Sequence, residues 1–268
     1  MKKILILFFL SFFSYSTFAQ VQWLADYELA KSVAKEKDQL ILMDFWAVWC
    51  GPCKTMEREL WTSPELGDLA HKVVPLKVNV DNESQLASFY RATSIPKIIL
   101  VTPTGETLWE QTGYSSSLAN RYIETLNQIP DNLKGISNYL AEADDFNEDV
   151  YVTIGKKFQA IGFETGDYLN DVFLSQSDHY FKKVSKKSED EKLIAMAELG
   201  QLINDAYRGK HKKALKKMED IEEMGDEQIA EQKNYLKAYC CKHLGDEEGF
   251  AEAKGMIKDD QLLSRLEE

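Results

Sequence analysis

The chain has 268 residues, of which 28 % are charged; 32 basic side chains stand against 44 acidic ones, a formal net charge of −12. Such an excess of acid repels nucleic-acid phosphates and anionic membrane surfaces, which argues against nucleic acid as a partner. The four cysteines form two close pairs, Cys50 with Cys53 and Cys240 with Cys241. A fold stapled by disulfides spreads its cysteines along the chain, so here burial must hold the core and the first pair is free for chemistry.

Residues 1–19 stand apart from the fold. Lys2 and Lys3 precede an apolar run from Ile4 to Phe13, and the chain then turns small and polar toward Ser16, Thr17 and Ala19. That order is the order of a secretory signal, with cleavage expected after Ala19. The apolar run is about half the ~20 residues needed to cross a bilayer, so no stable membrane insertion is expected. The expected location is periplasmic or secreted. Loss of Lys2 and Lys3 takes the formal charge from −12 to −14.

From Trp23 to Asp38 apolar residues recur at helical spacing, which predicts an amphipathic helix. Leu40 to Trp46 is a short, nearly continuous apolar run and reads as a strand buried on both faces. After it come Trp49, the Cys50-Gly51-Pro52-Cys53 motif and a charged helical stretch from Lys54 to Leu60. Ser63-Pro64-Glu65 reads as a helix start with proline at the first position, the helix running to about Ala70. Val73 to Val80 predicts a second buried strand and Glu83 to Arg91 a helix. Ile98 to Thr102 and Thr107 to Gln111, joined by Pro103-Thr104-Gly105-Glu106, predict a β-hairpin. A last helix of this half runs from Ser117 to about Ile129. Helices on both faces of a mixed sheet would bury these strands.

Beyond Pro130 no strand pattern appears. Helical periodicity marks Tyr151–Ile161, Tyr168–Val184, Glu189–Tyr207, Lys212–Glu223, Ile229–Lys242 and Glu248–Ile257. Ala206-Tyr207-Arg208-Gly209 with Ala214-Leu215 is echoed by Ala238-Tyr239, Gly245-Asp246 and Phe250-Ala251, at offsets of 32 and 37 residues. An offset near 34 suggests paired helices of the tetratricopeptide type, with an unrelated helical bundle as the alternative. The expected organisation is therefore a signal at 1–19, an α/β domain at 20–130 and an all-α domain at 131–268.

Two thiols one helical turn apart can close a small ring. Where the first sits at a helix N-terminus, the dipole and unpaired N–H groups favour its thiolate. The strand ending at Trp46 and the helix-opening Gly51-Pro52 place Cys50 there, as an exposed nucleophile, with Cys53 one turn deeper as the resolving thiol. Exchange then runs through a mixed disulfide. The second step needs a proton acceptor near a buried thiol. Asp44, the one charge between Leu40 and Trp46, is the candidate, because a buried carboxylate has a raised pKa. Lys77 either shares that pocket from the neighbouring strand or is an exposed strand lysine. Cys240 and Cys241 diverge on one helix and read as small buried residues, and Cys240 with His243 lacks a complementary pair of metal ligands. His71, His179 and His211 read as isolated and solvated. No metal and no cofactor beyond the Cys50–Cys53 pair is expected.

The stretch from Met43 to Lys54 resembles the active-site segment of the thioredoxin family. The likeness continues through Lys77-Val78-Asn79-Val80-Asp81 and Ser94-Ile95-Pro96 to Gly113, covering residues 23 to about 129. The resemblance implies a thioredoxin-like fold, a cis Ile95-Pro96 bond that brings the Ile95 backbone beside Cys50 to hold substrate, and a substrate surface that takes in Trp49, Gly51, Pro52 and Gly113. It also implies that Asp44 is the buried acid/base. Where thioredoxins carry a kinking proline in the active-site helix, this chain reads Met56-Glu57-Arg58-Glu59-Leu60. That departure is similar to the periplasmic thioredoxin-like domains of transmembrane disulfide reductases. The expected function is reduction of disulfides in exported proteins, with a membrane disulfide reductase as electron donor. The alternative is a client-binding protein, adaptor or redox sensor that uses its C-terminal helices and keeps the first half as a scaffold.

Overall fold

A computed structural model describes residues 21–143 and 146–267; the expected signal at 1–19 lies outside the described residues. In chain order the first half runs α1 (Tyr27–Lys37), β1 (Leu40–Trp46), α2 (Gly51–Glu59), α3 (Leu69–Lys72), β2 (Val73–Asn79), α4 (Ser84–Phe89), β3 (Lys97–Val101), β4 (Thr107–Thr112) and α5 (Ala119–Asn127). The second half follows as α6 (Ile136–Glu142), α7 (Glu148–Glu164), α8 (Asn170–Lys187), α9 (Glu191–Tyr207), α10 (His211–Met218), α11 (Glu227–Leu244), α12 (Glu247–Gly255) and α13 (Asp260–Glu267). The strands form one mixed sheet in the order β2-β1-β3-β4. β1 is parallel to β2, and β3 is antiparallel to β1 and β4.

Side chains alternate across a strand, and on β1 both sets are buried. Leu40 and Leu42 point into the larger core with Met56, Leu60 and Trp61. Ile41, Met43 and Phe45 face the opposite layer with Ala30, Ala34 and Tyr90. Asp44 therefore lies on the face covered by α2.

The predicted first helix begins later than its periodicity suggests. The Leu24 N–H donates to Pro75 O and the Leu24 carbonyl accepts from Lys77 N, both at 2.9 Å, which adds a short pairing outside β2. Asp26 then caps α1 by accepting from Leu29 N. Ser63-Pro64-Glu65 opens only a 3-10 turn, Pro64–Leu66, before α3. Helices α6 and α13 fall in segments where the sequence pattern predicts none.

The hydrophobic core is continuous between the halves, running from Leu40 and Leu42 through Leu126, Leu133 and Ile136 to Phe158, Phe173 and Phe181. Polar links reinforce it. Asp38, in the left-handed region, accepts from Gly135 N at 2.5 Å, Ser137 N at 3.1 Å and Ser137 Oγ at 2.6 Å. Gln39 donates to Asp131 O, and Tyr180 Oη to Glu106. These links lie at the N-terminal end of β1 and at the β3–β4 turn. Seven strand residues at roughly 3.3 Å each separate that end from the cysteines.

In the helical half the turns after α9 and α11 each carry a left-handed glycine, Gly209 and Gly245. Tyr207 and Tyr239, the echoed tyrosines, stack with ring centroids 4.3 Å apart. His211, read as isolated, instead stacks on His243 at 4.9 Å, because the turn after α9 lays α10 against α11. Cys240 and Cys241 are buried free thiols.

Phe181 on α8 is fully buried, and a Cβ on Gly155 or Gly200 would meet its ring at 2.6 Å or 2.3 Å. Gly200→Ala should therefore cost about 1–3 kcal/mol by overpacking, read as a lowered thermal midpoint.

Candidate active site

Cys50 is the N-cap of α2 in extended backbone conformation, with Gly51 and Pro52 opening the helix. Proline suits the first turn because its missing N–H would have no intrahelical partner. The Cys53 N–H donates to Cys50 Sγ at 3.1 Å, so the sulfur occupies the place of a capping oxygen at the positive end of the helix. Cys50 and Cys53 are joined by a disulfide, their Cα atoms 5.3 Å apart.

Cys50 was expected to be exposed, and it is not: Cys50 is 3 % and Cys53 5 % exposed. The ring closed by the disulfide turns Cys50 Sγ toward Cys53, and Ala47, Trp46, Val80 and Ile95 pack around the pair. Exposure lies on the rim, where Val48 and Trp49 are 62 % and 68 % accessible and Gly51 and Pro52 are also exposed. The Trp49 indole is held by Asp81, donating to Oδ2 at 3.0 Å.

The Ile95-Pro96 bond is cis. Pro96 is buried, and half-buried Ile95 packs on the cysteine cluster. Gly113 N–H donates to Pro96 O at 2.7 Å, and Tyr122 Oη donates to Gly113 O. Gly113 has φ +83°, a conformation that side-chain-bearing residues rarely adopt. The structure thus brings Cys50, Cys53, Ile95, Pro96 and Trp49 around one rim, with Gly113 tied to Pro96.

Asp44, on the β1 face that α2 covers, is 2 % exposed. Its Oδ2 accepts from the Trp61 indole N–H at 3.0 Å, and its Oδ1 is buried with no hydrogen-bond partner among the described residues. Burial raises its pKa from 3.8 to about 7; Lys77 and the Trp61 hydrogen bond pull it down, and Glu57 pushes it up. Lys77 is directly opposite Asp44 across β1–β2. Its ammonium pairs with Glu57 and lies 5.4 Å and 5.6 Å from the Trp23 and Trp46 ring centroids. Lys77 is thus half-buried beside Asp44 rather than solvated on a strand surface.

Trp61, Glu57 and Asp81 were not singled out by the sequence pattern. Glu57, four residues after Cys53 on α2, shares a helix face with it, and that spacing could have flagged it. Trp61 lies beyond the end of α2, and its contact with Asp44 depends on how that helix crosses the sheet.

The fold and this site together define a thioredoxin-fold dithiol protein. A family model described as thioredoxin-like matches residues 22–103. Thioredoxin-1 of Drosophila melanogaster is 35 % identical over 83 residues, 31 % of this chain and 74 % of the fly protein. Thioredoxin of Haemophilus influenzae is 38 % identical over 93 residues, 33 % of this chain and 78 % of the relative. The match spans 46 % of Drosophila Thioredoxin-T and 56 % of the Mycoplasma pneumoniae thioredoxin, about half of each. A solved thioredoxin of Malassezia sympodialis is 30 % identical, covering 38 % of this chain and 87 % of that one, with a TM-score of 0.32. By sequence, the chain belongs to the thioredoxin family.

The raised pKa of Asp44 has a consequence for stability. Between pH 4 and 7 the folded protein binds a proton at Asp44 that the unfolded chain has released, so stability falls as pH rises through that window. Asp44→Asn should abolish this loss. At pH 8 the variant should be more stable than the wild type by up to roughly 4 kcal/mol, the difference vanishing below about pH 4, in denaturant melts across that range.

Proposed function

We propose that the protein is a thiol:disulfide oxidoreductase that reduces disulfides of exported proteins. The carrying observation is the position of Cys50 and Cys53: at the N-terminus of α2, the helix that covers the Asp44 face of β1, and beside the Ile95-Pro96 loop. In the reduced protein the helix terminus and the Cys53 N–H favour the Cys50 thiolate, which attacks the substrate disulfide. Cys53 then gives up its proton to Asp44, attacks Cys50 Sγ and releases the reduced substrate. Lys77 tunes Asp44 by its charge. Trp49, Gly51, Pro52, Ile95 and Gly113 form the surface that receives an extended substrate segment, with Pro96 buried behind Ile95, the apolar rim giving sequence-tolerant contact.

The reducing direction is supported by the Gly-Pro dipeptide between the cysteines, and export by the N-terminal pattern of Lys2, Lys3, the apolar run and Ala19. A soluble exported dithiol must be recharged by another dithiol, for which a membrane disulfide reductase is the proposed donor. The helical half, read as two helix–turn–helix repeats across α9–α12, adds a surface for clients or partners at a distance from the cysteines.

Cys50→Ser should lose essentially all insulin-disulfide reduction. Cys53→Ala should retain the first attack and accumulate mixed disulfides, and in a host that exports the protein the trapped partners should be exported proteins. Wild-type turnover by Cys50→Ser would remove the proposal. Partners drawn only from the cytoplasm would remove the exported-substrate part.

A further inference from the structure

Asp44 is bound asymmetrically, and the asymmetry comes from a residue outside the dithiol motif. The Trp61 indole N–H is fixed on Oδ2 at 3.0 Å, while Oδ1 has no hydrogen-bond partner among the described residues. Trp61 is 3 % exposed and braced edge-on against Trp23 at 4.9 Å between ring centroids. Trp23 is in turn set by the backbone pairing of Leu24 outside β2. At the other side, Leu60 N and Trp61 N both donate to Met56 O, at 2.8 Å and 3.3 Å, tying the chain to the end of α2. The indole therefore has little freedom to follow Asp44 if the carboxyl turns.

We infer that Trp61 is a positioning residue for proton transfer: its indole N–H claims Oδ2 and leaves Oδ1 as the oxygen that takes and returns the Cys53 proton. An indole nitrogen donates and cannot accept. The neutral acid thus keeps its carbonyl oxygen toward Trp61 and carries its O–H on Oδ1. The inference rests on the proposed role of Asp44. In the release step, Oδ1 removes the proton from the Cys53 thiol and the thiolate attacks Cys50 Sγ. The Cys50–Cys53 bond forms as the bond from Cys50 to the substrate sulfur breaks. The departing substrate thiolate takes the proton back from Oδ1, restoring the carboxylate. Over both steps the dithiol gives two electrons to the substrate disulfide and is itself oxidised to the Cys50–Cys53 disulfide.

The release step can be watched by mixing reduced protein with Ellman's reagent, where the second thionitrobenzoate released reports attack by Cys53 on the mixed disulfide. Its rate, followed from pH 5 to 9, should rise in the wild type through a midpoint that Asp44→Asn abolishes. Trp61→Phe keeps the ring but removes the donor that favours the carboxylate, so its midpoint should move up by about one pH unit. The rate should then be up to about tenfold low on the acid side and converge with wild type by pH 9. A Trp61→Phe profile that superimposes on wild type while Asp44→Asn flattens it overturns the role of Trp61 and leaves Asp44 in place. An inflection that survives in Asp44→Asn overturns the Asp44 reading, and the inference with it. The unmutated protein supplies a second test that does not depend on the variant folding. The Trp61 indole N–H resonance should titrate with the same midpoint as the Asp44 carboxyl carbon, and should stop titrating in Asp44→Asn. An indole resonance that stays fixed while that carboxyl titrates overturns the inference.

Discussion

Burial of an ionisable carboxyl group in the central strand is the constraint around which the active half is arranged. Water cannot solvate Asp44 there, so its charged form must be supported by whatever the protein places beside it. One oxygen receives a fixed indole N–H, and the ammonium of Lys77 stands across the neighbouring strand. Lys77 is itself committed to Glu57 and flanked by two indoles. The support is therefore partial, and Asp44 titrates near neutral pH rather than near 4. A fully paired carboxylate would be locked in its charged form, and one with no support would stay protonated.

The same strand supplies the second element of the site. Because β1 is covered on both faces, its direction is set by two packed layers, and the chain leaving Trp46 reaches the start of α2 with Cys50 as its cap. The disulfide, the helix terminus and the carboxyl group are thus held by one rigid element. Val48 and Trp49 stand outward from it as an apolar rim.

The helical half is joined to the sheet through continuous apolar packing, and its polar links to Asp38, Gln39 and Glu106 lie at the end away from the cysteines. Those polar links lie apart from the rim at Val48 and Trp49. Within the helices, Gly155 and Gly200 admit the Phe181 ring between α7 and α9, and the buried amides of Gln159 and Asn204 bond to one another at 2.8 Å.

Most of the sheet and the dithiol were legible because they depend on short-range patterns. A continuous apolar run with one charge marks β1 and Asp44, and Cys50-Gly51-Pro52-Cys53 marks a helix start. The start of α1 was misplaced because Leu24 pairs with a strand some fifty residues away in sequence, and α6 and α13 are short helices stabilised by the surface they cover. What the sequence determined by itself is the chemistry available: two thiols one turn apart, a carboxyl group in an apolar strand, and a proline before the third strand. Tertiary structure alone decided that Cys50 is enclosed when oxidised, that Lys77 turns to Glu57, and that Trp61 grips one oxygen of Asp44. Those outcomes depend on contacts between segments whose separation in sequence carries no periodic signal.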